Sequence, residues 1–270
     1  MSAVVKVGGY CLEDKDFNPK KPAPKVEEFD QLRSKLAGLD NITQEHIIPE
    51  YTPISDQGSA GTCVANAMCD GLEMLLGLEH GPSKVVQLSR RHLYWIARYT
   101  HGGTHADMGT YLRAAAWQLQ EVGVCPEEYF PYSDRQDDLV ISPPLDTYSM
   151  ASENRVTGHL RIVSRGQQRL DDIEQAIRSN HPVAFGTVVT KSFMKYPGDG
   201  VYGRPTDSSR GRHAMLMVGV RHRNGKREFL WRNSWSIGWG DVGHVWVDED
   251  YVMWGETKDI WMLTRMQLID

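Results

Sequence analysis

The chain has 270 residues, 40% hydrophobic and 24% charged, the composition of a globular protein with length for one large domain or two intimately packed lobes. A net charge of -5 without a lysine or arginine cluster excludes a nucleic-acid footprint, and no apolar run approaches the roughly 18 residues of a membrane span. Four cysteines, Cys11, Cys63, Cys69 and Cys125, none in C-x-x-C spacing, argue against a disulfide scaffold, a zinc site or a redox pair.

The first apolar stretch, positions 3–5, soon gives way to Glu13, Asp14, Lys15 and Asp16, which is not a secretory leader. The expectation is a cytoplasmic protein, or one exported without a cleaved Sec signal peptide. Residues 1–25 are polar and end in a proline- and lysine-bearing stretch at 19–25 that favours extended backbone. Phe29, Leu32, Leu36 and Leu39 recur at helical spacing, with Gly38 as a stop signal, and predict one short amphipathic helix. Residues 1–45 therefore read as an N-terminal arm, and 46–270 as the main body.

Within the body, the turn-rich loop 56–62 leads into CVANAMCDGLEMLL at 63–76, apolar on most faces as in a helix buried through a lobe. Further helical patterns follow around 89–99 and 111–122. After about residue 155 the texture changes: 182–189, 214–220, 228–232 and 244–247 read as strands, and only 170–179 looks helical. Helix-rich first and strand-rich second, the chain is an α+β protein with a helical lobe at about 50–150 and a β lobe at about 151–270.

Nucleophilic attack on an amide needs an activated atom, a proton acceptor, something to hold that acceptor, and donors for the oxyanion. Cys63 stands at a predicted helix N-terminus, where the macrodipole favours a thiolate. His213 starts the strand 214–220 and Asn233 ends the strand 228–232, so antiparallel neighbours would bring the two side chains together. The Asn233 amide oxygen would then fix the imidazole and leave its other nitrogen for Cys63. Gln57, just upstream in the loop, can share the oxyanion with the Cys63 N–H, and Trp235 and Trp239 can shield the Asn–His bond from water. This chemistry needs no metal or organic cofactor. His101, His105 and Asp107 could be read as metal ligands, but they lack a fourth ligand and fit a solvated loop better.

The chain resembles the papain family of cysteine peptidases at these points. Residues 57–63 (QGSAGTC) look like that family's QGSCGSC box, His213-Ala214 like its catalytic His-Ala, and residues 233–240 (NSWSIGWG) like its NSWGxxWG box. Residues 198–202 are similar to a strand that precedes the family's histidine. The run 56–67 (DQGSAGTCVANA) is closer to the bacterial, disulfide-poor branch; Ala60 replaces a disulfide cysteine, Val64 a tryptophan and Ser236 a glycine.

The resemblance implies a papain-like two-lobed fold, an antiparallel β-rich second lobe and an active-site cleft between the lobes. It also implies a cysteine endopeptidase acting on an extended peptide through a Cys-His-Asn thioester mechanism. Gly109 would pair with substrate backbone, Tyr111 and Gly186 would line the pocket for the second residue before the scissile bond, and Ala214 would touch substrate. Two other readings stay open: a transglutaminase-like acyltransferase on the same fold, and a catalytically idle fold used for binding. The N-terminal arm is open as well, as a structural addition to the strand-rich lobe or as a segment along the cleft that restrains activity.

Overall fold

The computed structural model describes residues 9–11, 27–29, 44–156, 158–264 and 266–268. Short strands β1 (Glu27–Glu28) and β2 (His46–Ile47) come first. The helical half follows as α1 (Cys63–His80), α2 (Arg90–Tyr99), α3 (Leu112–Glu121), α4 (Gln136–Leu139) and α5 (Leu145–Ser152). Next come β3 (Asn154–Val156), β4 (His159–Ile162), α6 (Gly166–Arg178), β5 (Val183–Thr190) and α7 (Lys191–Met194). The chain closes with β6 (Val201–Tyr202), β7 (Ser209–Arg223), β8 (Lys226–Arg232), β9 (His244–Asp248), α8 (Glu249–Met253), β10 (Lys258–Leu263) and β11 (Met266–Leu268).

Every residue of α1 from Cys63 to Gly77 is buried, because its apolar residues run all round the helix and it packs on both the other helices and the sheet. Ser89 starts α2 by accepting from His92 N at 3.0 Å, satisfying one of the unpaired amides of the first turn. Strand β5 is buried at every position, as its unbroken VAFGTVVT run requires of a strand covered on both faces.

Among the described residues the main sheet runs β1-β4-β10-β5-β7-β8-β9-β6, with β2 also paired to β7; β3 and β11 form a separate pair. The pairings are antiparallel except at the outer positions, where β1 runs parallel to β4 and β6 parallel to β9. The result is the two-lobed α+β architecture, and among the described residues no helix is long and apolar enough to cross a membrane.

Two expectations need adjustment. The strand-rich half contains α7 and α8 as well as α6, both too short to show a helical period. In the arm, Phe29 sits in a turn after β1, fully buried, with its N–H donating to Arg161 O at 3.0 Å. Leu32, Leu36 and Leu39 of the expected helix lie outside the described residues.

Candidate active site

The loop before α1 is folded by two sets of contacts. Gln57 N donates to Ser234 O at 2.9 Å and Ser236 N to Ser55 O at 3.1 Å, which ties the loop to the segment after β8. From the other side the Asp107 carboxylate accepts from Gly61 N at 3.0 and 3.1 Å and from the Tyr94 hydroxyl. Cys63 is thereby delivered as the first residue of α1. Burial pushes the Cys63 thiol up to about 12, against the pull of the Ala214, Val64 and Cys63 amides, which favour the thiolate.

Strands β7 and β8 are antiparallel with Leu216 opposite Arg232, so His213 and Asn233 come side by side. His213 Nε2 lies 2.7 Å from Asn233 Oδ1, which also accepts from Ser234 N at 2.8 Å. Because Ser234 N can only donate, the atom it meets is the amide oxygen, so Nε2 carries the imidazole proton and Nδ1 presents a lone pair. His213 Nδ1 has no hydrogen-bond partner. Burial drives the imidazole down to about 4, although the bond to Asn233 opposes the shift.

The indole of Trp235 stacks on the His213 ring at 4.6 Å between centroids and 27° between planes. Trp239 meets Trp235 edge-on and donates from its indole N–H to Phe193 O at 3.3 Å. The Gln57 amide is held at both ends: Ser234 Oγ donates to its Oε1 at 2.7 Å, and its Nε2 donates to Ala60 O at 2.8 Å. Ser236 adopts φ +60°, a left-handed conformation that accounts for the glycine of the related motif.

Below the site lies an ion network with no sequence signal. Asp70 on α1 pairs with Arg90 of α2 at 2.6 Å and with Arg232 at the end of β8 at 3.1 Å, while Glu73 Oε2 accepts from Arg90 at 2.9 Å. Burial alone would raise the Asp70 carboxyl, but Arg232 and Arg90 hold it below its usual range. Arg232 also bonds Glu50 and donates to Pro53 O at 2.7 Å, so the residue preceding Asn233 is anchored to both lobes.

The cleft holds part of the chain itself. Tyr10 bridges Thr110 in parallel: Thr110 N donates to Gly9 O and Cys11 N to Thr110 O, each at 2.9 Å. Gly9 packs so closely that a Cβ on it would stand 2.3 Å from Gly61 O, and a Cβ on Gly109 would meet Gly9 O at 2.3 Å. Gly109 therefore supplies the room while its own N–H donates to the Tyr94 hydroxyl at 3.0 Å, and the backbone pairing with residues 9–11 is made by Thr110. The Tyr10 ring lies over Gly186, where an added Cβ would fall 2.1 Å from it. With this segment in place, Cys63 and His213 are both 0% exposed.

His101 meets Tyr111 edge-on and bonds Thr110 Oγ1 at 3.2 Å, His105 bonds Gly102 O, and Asp107 is the loop clamp already described. Among the described residues no group of three or more His, Cys, Asp or Glu is placed to hold a metal ion. The roles of Asp107, Ser234 and Arg232 have no local sequence signal, because each acts on a residue distant in sequence.

A family model described as papain family cysteine protease matches residues 42–260. The chain belongs to the papain family. It is 26% identical over 240 residues to an uncharacterized peptidase C1-like protein of Acanthamoeba polyphaga mimivirus, covering 86% of this chain and 76% of that one. It is 30% identical over 236 residues to digestive cysteine proteinase 2 of Homarus americanus, covering 85% of this chain but only 64% of the lobster protein. Xylellain, a cysteine protease from Xylella fastidiosa, superposes with a TM-score of 0.75 at 23% identity, covering 97% of both chains. That likeness bears on the fold.

Proposed function

We infer that this papain-family chain hydrolyses peptide bonds with Cys63 as nucleophile, His213 as acid and base and Asn233 as the group that orients the imidazole. The observation that supports this most directly is the 2.7 Å contact from His213 Nε2 to Asn233 Oδ1, which leaves Nδ1 unpartnered, while the amide of the next residue, Ala214, favours the Cys63 thiolate. In the proposed reaction the Cys63 sulfur attacks the peptide carbonyl carbon and its proton passes to His213 Nδ1. The carbonyl electrons move to oxygen, where the Cys63 N–H and the Gln57 amide donate. Collapse expels the amine, which takes the proton from His213 and leaves a thioester. His213 then deprotonates water, the hydroxide attacks the thioester, and the Cys63 thiolate departs from a carboxylic acid.

The substrate in this reading is an extended peptide paired to Thr110, and residues 9–11 occupy that place in the chain as it stands. A tethered segment competes at high effective concentration, so the described form is latent until the segment leaves. Incubation of the Tyr10→Ala chain, in which the covering segment is loosened, with an iodoacetyl probe followed by peptide mapping tests the assignment. Label is expected on Cys63, and Cys63→Ala should abolish turnover with an unchanged circular dichroism spectrum. Label on Cys11, Cys69 or Cys125 with activity retained in Cys63→Ala sinks it.

A further inference from the structure

The pocket that holds the Tyr10 ring ends in a carboxylate. Tyr10 is 2% exposed, and its hydroxyl donates to Asp259 Oδ2 at 3.2 Å. Asp259 reaches this place through a distortion of β10: the pairing with β5 shifts register between Lys258 and Trp261, and Asp259 takes φ +54°. A bulge re-aims a side chain, and a non-glycine residue in the left-handed region is held there by its surroundings.

The other carboxylate oxygen is already committed. Asp259 Oδ1 accepts from Trp261 Nε1 at 3.1 Å and lies 3.4 Å from Arg161 Nη2. The negative charge is thus offset before any ligand enters, and what the pocket offers is one acceptor oxygen, Oδ2, at the end of a flat slot over Gly186. A lysine or arginine side chain would bring a second cation toward Arg161. A phenylalanine would fill the slot and leave Oδ2 buried without a donor. A phenol supplies the ring, the donor and no charge.

We propose that Asp259 makes this pocket selective for tyrosine as the second residue before the scissile bond, with Tyr10 as the chain's own imitation of that residue. The position follows from Gly9, which packs on Gly61 close to Cys63 while Tyr10, one residue along, enters the pocket. The pocket meets a side chain and so accepts it from a chain running in either direction. The proposal rests on the peptidase reading above and adds a specificity determinant to it.

The test uses the full chain carrying Tyr10→Ala, which empties the pocket. Its kcat/KM is measured on fluorogenic dipeptidyl amides with one constant first residue and tyrosine, O-methyltyrosine, phenylalanine or arginine as the second. Tyrosine is expected to exceed phenylalanine by roughly 10- to 100-fold, because a site built around a substrate hydroxyl penalises the analogue that leaves its buried partner unpaired. O-Methyltyrosine and arginine should fall to the phenylalanine level or below. Asp259→Gly in the same background relaxes the backbone and removes the carboxylate, so the preference should vanish. Equal rates for tyrosine and phenylalanine, or a preference for arginine, overturn the proposal. Calorimetric binding of the same compounds to the Tyr10→Ala, Cys63→Ala chain separates the two readings. The same order of affinity without hydrolysis in the Cys63-containing chain refutes the peptidase reading alone, whereas loss of the order refutes the pocket assignment.

Discussion

Replacing Tyr10 with alanine should uncover the site and raise the reactivity of Cys63. The ring is 2% exposed between Gly186 and Asp259, so the substitution removes a fully buried side chain and its hydrogen bond to Asp259. Burial of a side chain of this size contributes about 2–3 kcal/mol, and a hydrogen bond to a carboxylate adds roughly 1.5 kcal/mol. Water entering the emptied pocket returns part of that, leaving a net loss of about 3 kcal/mol in docking. At 1.4 kcal/mol per tenfold change, the covered-to-open ratio shifts by ~100-fold. The assay is the second-order rate of iodoacetamide alkylation at pH 7, with mapping to confirm Cys63, alongside kcat/KM on a fluorogenic peptide. Both should rise together until the site is open most of the time, because opening also relieves the burial that pushes the thiol up to about 12. Tyr10→Phe should give a smaller rise, since it loses only the hydrogen bond. An alkylation rate unchanged in folded Tyr10→Ala would refute the idea that residues 9–11 control access.

Three other outcomes are expected. Gln57→Ala should lower kcat by roughly 10² if its amide donates to the oxyanion; a higher KM at constant kcat would make it a binding residue instead. Asp70→Asn leaves Arg90 and Arg232 buried with weakened pairing, so urea unfolding should show a loss of about 3 kcal/mol, the scale for breaking a buried ion pair; an unchanged midpoint would remove the network from the account of stability. Acid should destabilise the fold through His92 and His159, both buried without a partner for either ring nitrogen and lowered by burial to about 4 and about 3. Because the folded values lie below the unfolded value near 6.5, the unfolded chain binds more protons in this window. The stability is intact above pH 6.5 and is lost as pH falls toward 4, on the order of 3 kcal/mol for each histidine. Thermal melts of His92→Gln and His159→Gln between pH 7 and pH 4 should show a shallower decline than the parent, and parallel declines would exclude these groups.

Much of this protein is legible in its sequence wherever the cause is local. The all-round apolar face of residues 63–77 could only be a helix buried on every side, and the loop ahead of it places Cys63 at the helix start. The alternating and unbroken apolar runs behind β5, β7, β8 and β9 mark strands, and the pairing of β7, which contains His213, with β8, which ends just before Asn233, brings the two side chains together. Strands β1, β2, β4 and β10 were missed because their short or mixed sequences have no period of their own; they are strands only because a partner strand satisfies their backbone. That Thr110 and not Gly109 pairs with residues 9–11 has the same origin, since the Tyr94 hydroxyl claims the Gly109 N–H. Asp259, silent in the sequence as one acid among many, acquires a role only where a bulge turns it toward Gly186 and Arg161 sits behind it. The same holds for the arm: residues 9–11 carry no motif, and only folding brings them against Gly61, Thr110 and Gly186, residues far apart in the chain. Local propensity is set by neighbours a few residues away, whereas charge pairing, pocket shape and cleft occupancy depend on which distant segments share space.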